Sequence, residues 1–251
     1  MKCVASRSPI DPPRDRAETM PALLRTPTGQ AISEYIQALI FDGTLQSGAR
    51  IDREQIAEDV GTSQIPVREA LLRLEAEGAI VIEPHRGAFV APTNEETVRE
   101  HWELVGLITG LIASKVARRH DPEVIAQLKV LVAELQDVDE PEPFNRIATQ
   151  IARVINVNGA TPKLRNLLRQ FSRQVPGNFY ERIPGSMGGA RLGHQRLLKA
   201  IQSGDPDAAQ QVAVNYLRKQ GDLVVAVLRA NGVIPPDSKA RADGGQPVQP
   251  A

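Results

Sequence analysis

Gln64, Ile65 and Arg68 stand at the start of a segment, SQIPVREALLRLEAEG (residues 63–78), whose remaining pattern is that of a short amphipathic helix. An amide, an apolar tip and a guanidinium on one exposed face can read base edges. A guanidinium pairs bidentately with guanine O6 and N7, and an amide with adenine N6 and N7. Val67, Ala70, Leu71 and Leu74 fall at helical spacing and turn the other face toward a core. Ser63 precedes the helix as an N-cap, its hydroxyl expected on the Ile65 amide because Pro66 in the first turn has no N–H, and Gly78 ends the helix. Taken alone, Arg68 would read as an exposed arginine in a surface ion pair.

The neighbouring elements decide whether that face is presented to DNA. Ile32, Tyr35, Ile36, Leu39 and Ile40 share one helical face from Thr28 to Gly43. A loop, LQSGARI, leads to Asp52, which caps a second helix with Gln55 as the other half of a capping box. Gly61 and Thr62 form the turn into the Ser63 helix. Beyond Gly78, AIVIE and AFVA are β-forming runs separated by Pro84, His85, Arg86 and Gly87, a hairpin pattern. Three helices and a hairpin predict a winged helix-turn-helix over residues 28–92; the alternative is a small helical domain carrying a hairpin. Charge gives no help: this stretch holds five Arg and no Lys against ten Asp and Glu, and the whole chain is formally neutral. DNA affinity would require the arginines on one surface.

The rest of the 251-residue chain reads as a second, all-helical domain over residues 93–233. Thr93 to Glu96 is a capping box opening a long helix to about Arg119; Asp121–Pro122, the Phe144 segment and Thr161–Pro162 begin the next three. A glycine-rich loop follows Pro176, and two further helices run from Ala190 to Ser203 and from Asp205 to about Asn231. Residues 1–27 and 234–251 lack periodicity and are expected to be disordered tails. No run of about 18 apolar residues is present and no apolar signal core stands at the N-terminus, so no membrane partner is expected. Cys3 is the lone cysteine, which suits a cytoplasmic chain without disulfides.

GTSQIPVREALLRLEAEGAIVIEPHRGAFV resembles the winged helix of the GntR family of bacterial transcription regulators, and HQRLLKAIQSGDPDAA resembles the closing pattern of the helical ligand-binding domain in its FadR, or FCD, branch. The resemblance covers roughly residues 30–232. It implies a homodimeric, ligand-responsive repressor or activator on a palindromic operator. Carried over by position, the DNA contacts are Arg53, Ser63, Gln64, Arg68, His85, Arg86 and Gly87, with Arg50 a weaker phosphate candidate. Gln64 and Ile65 stand where the family usually has arginine and threonine, so its usual operator is not expected.

Many members of this branch hold a divalent metal between an Asp or Asn, a His four residues on and two further histidines. Here those positions are Asn145, Thr149, His194 and Tyr216, a poor donor set for a transition metal, so no metal and no other cofactor is expected. Val105 and Thr109 stand where the branch commonly has an arginine and a glutamate. An effector pocket of Trp102, Val105, Thr109, Asn145, Thr149, His194 and Tyr216 would then favour an effector with a long apolar part, a fatty acid or acyl-CoA, over a small organic acid. A domain retained only for dimerisation is the alternative. An enzyme is not expected, because no nucleophile setting, phosphate loop or GxSxG turn appears. A helical adaptor using the winged helix for protein contacts stays open.

Overall fold

The computed structural model describes residues 29–171 and 175–234. The expected tails over residues 1–27 and from 235 onward lie outside them. Three helices and three strands come first: α1 (Gly29–Phe41), β1 (Arg50–Ile51), α2 (Arg53–Asp59), α3 (Gln64–Ala76), β2 (Ile80–Glu83) and β3 (Gly87–Val90). β3 is the centre of an antiparallel sheet, with Val81 of β2 on one side of Phe89 and Arg50 of β1 on the other. Ile32, Ile36, Val67, Ala70 and Leu74 are fully buried against one another, so the apolar stripes of α1 and α3 form the core expected of them.

β1 corrects the reading of LQSGARI as loop only. A two-residue strand carries no alternation to detect, yet it closes the sheet through Arg50 and Ile51. The caps also differ in detail. Asp52 accepts from the amides of Glu54 (2.9 Å) and Gln55 (3.3 Å), but the Gln55 side chain donates to Asp59 at 2.8 Å, one turn on, instead of reaching back. Ser63 occupies the N-cap position without a side-chain bond, because Pro66 at the third helical position removes the amide that an N-cap hydroxyl most often serves. The capping box expected at Thr93 is one residue later: Asn94 accepts from the Thr97 amide at 2.8 Å, and Thr97 Oγ1 accepts from the Asn94 amide at 3.2 Å. Asn is the stronger cap, and Thr93 donates to the Ala91 carbonyl instead.

Seven helices follow: α4 (Glu95–Arg119), α5 (Pro122–Gln136), α6 (Pro141–Gly159), α7 (Pro162–Phe171), α8 (Phe179–Arg182), α9 (Ser186–Gln202) and α10 (Pro206–Ala230). Pro or Asp starts most of them, as the sequence suggests. α8 is a single turn within the expected glycine-rich loop, capped by Asn178 on the Tyr180 amide. α9 begins four residues before Ala190, so Gly185 of GSMGG is its N-cap and the other two glycines lie in its first turns. Gly188 and Gly189 have helical φ, which glycine adopts at only an entropic cost. Ile234, assigned by its neighbours to a tail, is 2 % exposed and packs on Phe41 and Leu228.

α4 and α10 run in opposite directions and in unusually close contact. A Cβ on Gly106 would stand 3.2 Å from the Val214 Cα, and one on Gly110 would stand 2.9 Å from the Gln210 carbonyl oxygen. Paired charges flank the seam, Arg99 with Asp222 at 3.1 Å and Arg218 with Glu103. The two helices frame the second core, around Ile112, Leu128, Phe144, Ile151 and Ile201. A third cluster joins the halves: Phe41 at the end of α1 packs with Val98, Ile183, Val224 and Leu228, while Asn231 Nδ2 donates to the Phe41 carbonyl at 3.0 Å.

Alanine in place of a helical glycine ordinarily gains up to about 1 kcal/mol. Gly110→Ala is expected to lose roughly 1–3 kcal/mol instead, since the obstructing atom is backbone. Gly188→Ala, with nothing near its added methyl, is expected to be neutral or stabilising. Urea denaturation of the two variants checks the contrast in sign.

Candidate functional site

The first site is the exposed edge made by α2, α3 and the β2–β3 turn. Packing Val67, Ala70, Leu71 and Leu74 inward leaves Gln64, Ile65 and Arg68 outward, with Ile65 72 % exposed. A large apolar side chain held in water at a helix start suits contact with a thymine methyl. Arg53 opens α2 and is exposed. Gln64 Nε2 donates to Glu54 Oε1 at 3.3 Å, which joins the starts of α2 and α3 and places a carboxylate beside the reading face. The Ser63 hydroxyl, free of a capping bond, stays available on the same edge.

The turn between β2 and β3 holds His85 at φ 62° and Gly87 at φ 113°. Arg50 Nε lies 3.3 Å from where a Cβ on Gly87 would be, so β1 carries Arg50 directly under the wing. Arg86 is paired with Glu83 and lies over the Phe89 ring, 5.6 Å from its centroid. Both partners are exposed, so this pair can be exchanged for a phosphate at little cost. β2 is tied to α3 through the Ile82 amide, which donates to Glu75 Oε1 at 3.1 Å.

The second site is a cavity of about 380 Å³ bounded by α4, α6, α7, α8, α9 and α10. Trp102, Val105, Thr109, Asn145, Thr149, His194 and Tyr216, the seven residues singled out from sequence, all line it. Among the described residues, no Asp, Glu, Lys or Arg lines it. His194 is buried, and its Nδ1 donates to the Ala190 carbonyl at 2.7 Å, leaving Nε2 as the acceptor nitrogen. Burial holds its pKa below the ordinary value despite that bond. Tyr216 packs edge-on to the imidazole at 5.5 Å, a position open to it because Gly193 has no side chain. Burial raises the pKa of Tyr216 and of Tyr180, and the two phenols share a hydrogen bond.

This constellation does not fit a tightly held transition metal. Tyr216 stays a neutral phenol, Asn145 and Thr149 offer weak neutral oxygens, and His194 supplies one imidazole nitrogen. Among the described residues, no three or more His, Cys, Asp or Glu side chains converge.

His101, Phe179, Tyr180 and Gln220 line the cavity too and were not foreseen. Tyr180 lies in a segment punctuated by Pro176 and Gly177, where periodicity gives no signal. His101 is pushed down to about 4 by burial, against a hydrogen bond to the Phe171 backbone that raises it. Among the described residues, two buried polar atoms of the lining side chains are without a partner, Trp102 Nε1 and Gln220 Oε1. Gln220 Nε2 donates to the Ser186 carbonyl at 3.4 Å, so the reversed amide would set two acceptors together; its oxygen is the free end.

α8 touches both sites' supports. Phe179 and Tyr180 form cavity wall, while Arg182 bonds Asp42 at 2.8 Å and Ile183 packs on Phe41 at the end of α1. No described helix is long and apolar enough to cross a membrane.

Comparison with known proteins agrees with this division. Residues 28–90 match the family described as bacterial regulatory proteins, gntR family, and residues 100–219 match the FCD domain. The chain is similar to an uncharacterized HTH-type transcriptional regulator of Mycobacterium tuberculosis, 28 % identical over 85 % of this chain and 88 % of that protein. It is similar also to the probable D-xylose utilization operon transcriptional repressor of Paenarthrobacter nicotinovorans, 24 % identical over 79 % of this chain and 89 % of that one. In fold it is similar to E. coli McbR/YncC, with a TM-score of 0.55 at 20 % identity over 79 % of this chain and 97 % of that chain.

The buried histidines set a pH dependence. Their folded pKa values lie below the ordinary 6.5, so the unfolded chain binds more protons in between. Stability from this source is complete above about 6.5 and is lost as pH falls toward about 4. His101→Leu is expected to make the acid loss of the urea midpoint shallower across that window; an unchanged slope would place the proton uptake elsewhere.

Proposed function

Because the chain belongs to the GntR family of bacterial transcription regulators and carries an FCD domain, we propose that it is a cytoplasmic, ligand-responsive repressor that binds an inverted-repeat operator as a homodimer. Its effector is a fatty acid or acyl-CoA. The observation that carries the effector reading is the cavity itself: roomy, bounded by neutral groups, and containing seven residues drawn together from four helices. A small carboxylate would give up its water there without a cation among the described wall residues, whereas each buried CH₂ gains about 0.8 kcal/mol. Space of this size argues against a domain kept for dimerisation alone, which would fill its core.

The operator face is the edge bearing Arg53, Ser63, Gln64 and Arg68, with Arg50 and His85 to Gly87 holding the flanking backbone. Half-sites about one helical turn apart follow from two-fold symmetry. The second copy is supported by α4, where Leu104, Leu107 and Leu111 repeat at helical spacing and are 41–45 % exposed. An apolar stripe on an outer face is what a dimer covers.

Coupling runs through two supports. α4 starts directly after the wing strand, and α8 joins cavity wall to α1. An effector that moves Phe179 and Tyr180 would loosen Arg182 from Asp42 and Ile183 from Phe41, shifting the population of winged-helix spacings.

Arg68→Ala is expected to lose roughly 1–3 kcal/mol of discrimination between operator and scrambled DNA in anisotropy titrations. Equal selectivity in the variant would mean that the reading face is misassigned. Leu107→Glu is expected to shift the protein toward monomer in analytical ultracentrifugation and to weaken operator binding with it. A dimer of unchanged strength would remove α4 from the interface.

A further inference from the structure

Just outside the cavity, α6 and α7 are separated by a crevice lined by Arg153, Arg165 and Arg169. The crevice and the cavity share Thr149, Ala152, Asn156 and Leu168, so one opens into the other. Thr149 and Ala152 are exposed and mark the mouth. None of the residues of α7 is buried; the helix lies across that mouth with Leu164 and Leu168 partly packed on the core beneath.

The charge of this region is one-sided. Between Glu142 and Glu181 the sequence holds Arg146, Arg153, Lys163, Arg165, Arg169 and Arg173 without a single Asp or Glu, although the whole chain is neutral. Ion pairs among the described residues engage arginines elsewhere, such as Arg99, Arg182, Arg191 and Arg218. Arg169 donates to Asn166 Oδ1, a neutral acceptor, and among the described residues no carboxylate is paired with Arg153 or Arg165. Like charges gathered without counter-charges repel one another, and a polyanion relieves that repulsion. Guanidinium groups also match phosphate oxygens in geometry.

We propose that this crevice is a phosphate-binding vestibule to the cavity. The effector is then an acyl thioester of coenzyme A type, its acyl chain and neutral carbonyl inside and its phosphates on Arg153, Arg165 and Arg169. This rests on the acyl reading of the cavity and separates the thioester from the free acid, whose single charge meets only part of the vestibule.

The test measures binding of dodecanoyl-CoA, dodecanoate and coenzyme A alone to the full chain by calorimetry, and operator affinity by anisotropy. Each is compared with the Arg153→Gln, Arg165→Gln, Arg169→Gln triple variant. Dodecanoyl-CoA is expected to bind at least about tenfold more tightly than dodecanoate, and the triple variant to erase that advantage while leaving dodecanoate unchanged. The three positions are exposed, so the variant is expected to keep the parent's thermal midpoint. Equal affinities with an indifferent variant would overturn the vestibule and leave the acyl cavity standing. Coenzyme A binding that depends on the arginines but gains nothing from an acyl chain would uphold the vestibule and overturn the acyl reading. No binding of any of the three would overturn both. A variant that keeps its ligand affinities but loses operator affinity would assign the arginines to nucleic acid and overturn the proposal.

Discussion

The approach of α4 to α10 is the constraint on which the other features depend. With glycine at 106 and 110, the two backbones come near enough that even a methyl group would strike main-chain atoms. That separation sets the distance across the cavity, since Trp102, Val105 and Thr109 project from one helix and Ala213, Tyr216 and Gln220 from the other. It also sets where α10 ends, and therefore where Asn231 and Leu228 meet Phe41. A wider pairing of these helices would enlarge the cavity and detach α1 in one movement.

Electrostatics divides the second domain sharply. Among the described residues its cavity is lined by neutral groups, two of them histidines whose pKa burial lowers, while Arg153, Arg165 and Arg169 line the crevice beside its mouth. In the first domain the order is reversed, with acids outnumbering arginines two to one. The Arg86–Glu83 and Gln64–Glu54 contacts show how two of those acids are deployed: they hold polar side chains of the proposed DNA edge in place.

Much of this was legible in the sequence, and the exceptions have definite causes. The stripes at Ile32, Ile36 and at Val67, Ala70, Leu74 gave α1 and α3 because a 3.6-residue period leaves a trace in any helix with one buried face. All seven cavity residues followed from aligned positions, since a shared fold brings equivalent positions together even when the chemistry at them has changed. Periodicity could not reveal β1, two residues long, or α8, a single turn. Nor could it separate Thr93 from Asn94 as a cap, because neighbouring polar residues compete for the same amides and the winner depends on the exit angle of β3. Tyr180 and His101 escaped for a related reason: both belong to the cavity through tertiary packing, one from an irregular segment and the other from the residue beside the stripe.

Gly87 and Arg50 carry an implication for how such a regulator diversifies. Any side chain at position 87 would be both strained at its positive φ and crowded by the Arg50 guanidinium, so the wing tolerates little drift. Gln64 and Ile65, on the proposed reading face, are exposed and enter no core, and the link of Gln64 to Glu54 is a single long bond at the surface. If that face reads DNA as proposed, mutation can explore new target sequences at those two positions while the wing is inherited intact. Paralogues arising by duplication could part ways in the genes they control after one or two substitutions, long before their architecture diverged.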